Sequence, residues 1–94
     1  MNHYILFYKT IKGYIEKRAP FRKEHLEIVT KAHTDGILVM GGALENPSGE
    51  ALLIFQCDNP SIVEKFAKND PYVINGIVKN WNIRTWNIAI GGKL

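Results

Sequence analysis

The sequence predicts an α+β domain of ferredoxin-like βαββαβ order, with one four-stranded antiparallel sheet and two helices on one of its faces. Three observations carry this. Apolar runs of strand length occupy residues 3–8, 37–44 and 51–57, and residues 77–90 carry the apolar alternation of a long last strand. Segments with helical start and stop signals separate the first run from the second and the third from the fourth. Asn46-Pro47-Ser48-Gly49 is a turn cluster that joins the middle two runs as a hairpin. At 94 residues and 46% hydrophobic, the chain supports one domain spanning 1–94, with a small core.

His3 to Tyr8 is continuously aromatic or aliphatic, which suits a central strand buried on both faces. A mixed loop over 9–18 follows, and Pro20 fits the first turn of a helix that runs to about Thr34. Phe21, Ile28, Val29 and Ala32 share one side of that helix, while Lys23, Glu24, Glu27, Thr30 and Lys31 take the other. Gly36 suits the left-handed residue that ends it. In the second strand, Gly41-Gly42 marks a bulge or a close backbone approach. The second helix has two alternative starts: Asn59 as cap with Pro60 in the first turn, or a Ser61/Glu64 capping box. It ends near Lys68, because Pro71 cannot extend the ladder and disfavours helical geometry at Asp70. Asn75-Gly76 turns the chain into the last strand. There Trp81 and Ile83 share one face and Trp86, Ile88 and Ile90 the other, so a bulge or bend is expected between them.

Two helices cover one face of a sheet, yet Ile5 and Phe7 alternate with Tyr4, Leu6 and Tyr8, and Leu52 and Ile54 with Leu53 and Phe55. Both faces are apolar, so a second copy of the chain is expected to cover the other one, giving a homodimer or higher homo-oligomer. No apolar run approaches the ~20 residues of a bilayer span, and the first residues lack a basic region followed by a hydrophobic stretch. A cytoplasmic protein with no membrane partner is expected. Cys57, the sole cysteine, cannot form an internal disulfide and reads as buried filler. The formal charge of +3 traces to Lys9, Lys12, Lys17, Arg18, Arg22 and Lys23, which supply half of the 12 basic residues. Mixed with Glu16 and Glu24, this cluster concentrates an anionic small molecule better than it forms a nucleic-acid groove. RNA recognition, which shares the strand order, needs paired aromatics on the third strand, and residues 51–55 offer Phe55 alone.

His25 interrupts the apolar stripe of the first helix. Imidazole exchanges protons near neutral pH, so it is a candidate general base, with a structural, hydrogen-bonded histidine as the alternative. Asp70 ends the second helix on the same face of the sheet, where it can orient one ring nitrogen and leave the other free. By itself Asp70 also reads as a turn or cap residue. Tyr72 can close the pocket or donate a hydrogen bond, and Arg22, one turn before His25, can hold an anionic group or pair with Asp70. Tyr8 and Trp86 read as core or interface aromatics. His3, His25 and His33 lack metal-ligand spacing, so no metal and no cofactor are expected.

Arg22-x-x-His25-Leu26, Gly36-x-Leu38 followed by Gly41-Gly42, Asp70-Pro71-Tyr72 with Gly76, and Ile83-Arg84-Thr85-Trp86 stand in an order that resembles the YCII-related proteins of the dimeric α+β barrel group. The resemblance runs from end to end. It implies a dimer whose clefts hold His25 and Asp70 as the active site. It also implies activities such as dehydrochlorination, lactone isomerisation or cofactor-free oxygenation of small cyclic or aromatic compounds. Lys23-Glu24 stands where the family commonly has a small or proline-containing pair. The expected function is acid/base catalysis of lyase or isomerase type on a small anionic or cyclic molecule, with His25 and Asp70 catalytic and Arg22 and Tyr72 binding substrate. The alternative is a non-catalytic dimeric module that binds a small ligand or another protein.

Overall fold

A computed structural model of the chain describes residues 1–91. Strand β1 (Asn2–Thr10) leads to a short helix α1 (Tyr14–Lys17), a 3-10 turn (Ala19–Phe21) and the long helix α2 (Arg22–Thr34). Strands β2 (Leu38–Ala43) and β3 (Glu50–Cys57) form the hairpin, and α3 (Pro60–Asn69), α4 (Pro71–Ile74) and β4 (Val78–Thr85) complete the chain. The sheet order is β2-β3-β1-β4 and every pairing is antiparallel. The α+β ferredoxin-like arrangement predicted from the sequence is therefore the observed one, with β1 and β3 central.

Strand alternation sorts the side chains. Tyr4, Leu6, Tyr8, Leu53, Phe55 and Cys57 are buried beneath the helices, joined by Leu38, Val63, Ala67, Tyr72, Ile77 and Val78. On the other face Ile5 stands opposite Ile54 and Phe7 opposite Leu52, and these four remain partly exposed, beside Met40 at 60% exposure. Helix α2 contributes Val29 and Ala32 to the core margin, and Phe21 joins them from the preceding turn. The far edge of α2 at Leu26 stays 42% exposed.

Several local expectations hold. Gly36 has φ +80°, and its N–H bonds the His33 carbonyl at 3.0 Å to close the helix. Asn59 caps α3 by accepting from the Ser61 N–H at 3.0 Å with Pro60 in the first turn, whereas Glu64 pairs with Lys68 and forms no capping box. Other elements differ. Residues 14–17 form a turn of helix, and Pro20 lies in the 3-10 turn, so α2 starts at Arg22. The β2 irregularity falls between Leu38 and Met40, ahead of the glycines. Gly41 makes the close approach, since a Cβ there would lie 3.4 Å from Leu53 Cγ. The last strand stops at Thr85 rather than Ile90. Its partner β1 begins at Asn2, and after Trp86 N–H donates to the His3 carbonyl at 2.9 Å little of β1 is left to pair with. Trp86 and Ile90 consequently sit outside the sheet at 42% and 92% exposure. The β1–β4 irregularity lies at the opposite end, between Lys9 and Thr10.

Candidate active site

Asp70 connects α3 to α4 and is fully buried at 0% exposure. Pro71 sets an extended conformation there, φ −72° and ψ 123°, which turns the carboxylate back toward the start of α4. Three donors converge on it. Oδ1 accepts from Tyr72 N–H at 3.0 Å and contacts His25 Nδ1 at 2.8 Å, while Oδ2 accepts from the Tyr8 hydroxyl at 2.8 Å. One oxygen of Asp70 therefore both caps α4 and meets the His25 ring. No buried side-chain polar atom among the described residues lacks a partner.

These contacts fix the imidazole. Asp70 already receives two hydrogens and acts as an acceptor, so Nδ1–H is assigned as the donor to Oδ1. The Tyr72 ring lies flat against that of His25, centroids 3.8 Å apart and planes within 9°. This stacking holds the ring plane. Burial, reinforced by the Asp70 charge and hydrogen bond, pushes the Tyr8 hydroxyl pKa far above the ordinary tyrosine value, so it remains a donor.

His25 and Tyr72 open onto a cavity of about 410 Å³, within the ~300–1,000 Å³ range of small-molecule sites. The β2–β3 hairpin brings the small residues Gly41, Gly42, Ala43, Gly49 and Ala51 to its lining, which leave space that larger side chains would fill. Tyr8, Tyr14, Arg18 and Arg22 line it from β1, α1, the α1–α2 connection and the start of α2 respectively. Arg22 Nη1 donates to the Tyr72 hydroxyl at 3.5 Å, a long bond that leaves the phenolic hydrogen free. Arg22 does not pair with Asp70, whose oxygens are occupied by His25, Tyr72 and Tyr8.

The four residues singled out from sequence therefore form one connected set, Arg22 to Tyr72, Tyr72 on His25, and His25 to Asp70. Sequence reasoning missed Tyr8, which it assigned to the core or an interface. Tyr8 is buried, but its hydroxyl holds Asp70 and its ring borders the cavity. A usable signal was present: a buried tyrosine hydroxyl needs a partner, and Tyr8 shares the helix-side parity of Tyr4 and Leu6. His33 has a structural role, with Nδ1 2.9 Å from the Leu38 carbonyl. Cys57 is buried with its thiol pKa raised by desolvation, as expected of an inert filler rather than a nucleophile.

Comparison with known proteins agrees with this architecture. The 5-chloro-2-hydroxyhydroquinone dehydrochlorinase from Burkholderia phenoliruptrix AC1100, solved in complex with 2,5-dihydroxybenzoquinone, superposes with a TM-score of 0.76. The match covers 90% of this chain and 93% of that one at 17% sequence identity, which is a likeness of fold. No curated protein sequence matches the chain. The YCII-related domain profile matches residues 1–87, nearly the whole length, and the chain belongs to that family.

Proposed function

We propose that this protein is a small-molecule acid/base enzyme of lyase or isomerase type that removes a proton next to a carbonyl or ring. His25 Nε2 is the general base. Asp70 holds the Nδ1–H tautomer and stabilises the imidazolium formed when the proton arrives. Tyr72 donates its free phenolic hydrogen to a substrate oxygen, and Arg22 supports the negative charge that develops there. The observation that carries the reading is the 2.8 Å contact between His25 and a fully buried carboxylate at the wall of a cavity. A dehydrochlorinase on the same fold supports elimination chemistry as one form of it.

The working unit in this proposal is a cytoplasmic homodimer. The uncovered apolar face of Ile5, Phe7, Leu52, Ile54 and Met40 supports self-association, because a patch of this kind in water favours burial against a matching one. No helix among the described residues is long and apolar enough to cross a membrane.

The test is a metabolite library incubated with the protein and read by mass spectrometry, with His25→Ala alongside. Turnover by the wild type and its loss in a variant of unchanged oligomeric state are expected. Turnover unchanged in His25→Ala would falsify the assignment, and saturable binding without chemical change would establish the non-catalytic module instead.

A further inference from the structure

The cavity carries a charge asymmetry that the His25–Asp70 pair does not use. Arg18 and Arg22 both line it, on either side of the 3-10 turn Ala19–Phe21. Neither guanidinium pairs with a carboxylate among the described residues, where the ion pairs are His25–Asp70, Lys31–Asp35 and Lys68–Glu64. The one carboxylate that borders the cavity itself is Glu50. Glu50 stands opposite Lys9 on β1 and shares parity with Leu52 and Ile54, so its side chain projects from the sheet face away from the helices. The helix side of the cavity is therefore positive.

Arg18 is also held ready. Its backbone N–H bonds the Tyr14 carbonyl at 2.8 Å and its carbonyl accepts from Phe21 N–H at 2.9 Å, which fixes the turn. Its guanidinium lies over the Tyr14 ring, Cζ 5.4 Å from the centroid. That contact holds the cation beside the ring, and no carboxylate among the described residues engages it. Arg22 is three residues before His25 on α2, a spacing that puts the two side chains on neighbouring positions of one helix face. Through the Tyr72 hydroxyl it is one ring away from the imidazole.

We infer that Arg18 and Arg22 form an anion subsite at the α1–α2 end of the cavity, and that the substrate is a single-ring compound bearing a carboxylate. The carboxylate anchors on the two guanidiniums, and the ring extends past Tyr72 toward His25 Nε2. A volume of about 410 Å³ suits one ring with short substituents. Fork-shaped guanidinium donors match the planar carboxylate. This inference rests on the acid/base reading for the position of the reacting atom, but the subsite is tested by binding alone.

The experiment is titration of the full chain with 2-hydroxybenzoate and with its neutral analogue 2-hydroxybenzamide, followed by amide chemical shifts. The carboxylate is expected to bind roughly tenfold or more tightly than the amide, and Arg18→Gln to lose most of that preference. Lys17→Gln removes the same charge from α1 at a position outside the cavity lining and should keep it. His25→Ala should keep it as well. Equal affinity for the two probes, no binding of either, or equal losses in Arg18→Gln and Lys17→Gln would overturn the anion subsite. Retained preference with no turnover of any compound would instead count against the acid/base reading and leave the subsite standing.

Discussion

Replacing Asp70 by alanine and by asparagine separates the loss of three accepted hydrogen bonds from the loss of one charge. Alanine removes every acceptor, leaving the Tyr8 hydroxyl and Tyr72 N–H without partners at residues only 4% and 6% exposed. His25, with a side chain 14% exposed, can turn partly to water. Two orphaned buried donors at about 1–3 kcal/mol each cost roughly 2–6 kcal/mol. That is a large share of the ~5–15 kcal/mol stability of a typical domain. Asparagine behaves differently because of how the donors are divided. Its amide oxygen can sit at the Oδ1 position and accept from Tyr72 N–H and His25 Nδ1–H. Its NH2 then points to the Tyr8 oxygen, which a rotated hydroxyl lets accept. The charge-assisted part of three bonds is lost, but the desolvation cost of a fully buried carboxylate is lost too, so the net change stays within about 2 kcal/mol. A gap of about 3 kcal/mol between the variants, with a urea slope near ~1.5 kcal/mol per M, separates their midpoints by about 2 M. Urea denaturation at fixed protein concentration reads this directly. Coinciding midpoints for the two variants would refute the assignment of Asp70 as acceptor for buried donors.

Tyr8→Phe probes the same network from the strand side. Because the folded state raises the Tyr8 pKa above the unfolded value near 10, stability is unaffected below that value and declines as pH rises beyond it. The wild type should lose up to about 1.4 kcal/mol per pH unit above pH ~10 relative to Tyr8→Phe, and parallel pH curves for the two would remove the buried hydroxyl from the account. Ile54→Arg places a charge at the centre of the open sheet face, opposite Ile5, and is expected to convert the proposed dimer to monomer in light scattering without changing helix content. A wild type that is already monomeric at micromolar concentration rules out the dimer.

Much of the fold follows from short-range chemistry. Asn59-Pro60, Gly36 and Asn46-Pro47-Ser48-Gly49 each specify a local geometry regardless of what surrounds them, and the caps, turns and helix ends fall where those residues stand. The missed elements are those decided by pairing. The last strand carries apolar residues as far as Ile90, but a strand persists only while a partner offers N–H and C=O groups, and β1 starts at Asn2. The α1 turn is too short and too mixed in composition to show a period.

His25 and Asp70 were legible because each breaks a local rule, an imidazole in an apolar stripe and an aspartate before a proline that ends a helix, and Arg22 and Tyr72 were legible by their places beside them. The sequence by itself determined the element order, the amphipathic sides and the candidacy of these four residues. Tertiary structure alone decided that Asp70 uses one oxygen for both the cap and the imidazole, that Tyr8 takes the other, and that Arg22 reaches Tyr72 instead of Asp70. It also decided that Arg18 faces the same cavity. The physical reason is range. Propensity, capping and periodicity act over a few neighbouring residues, whereas Tyr8 and Asp70 are 62 positions apart and meet only once the sheet register and helix packing are fixed.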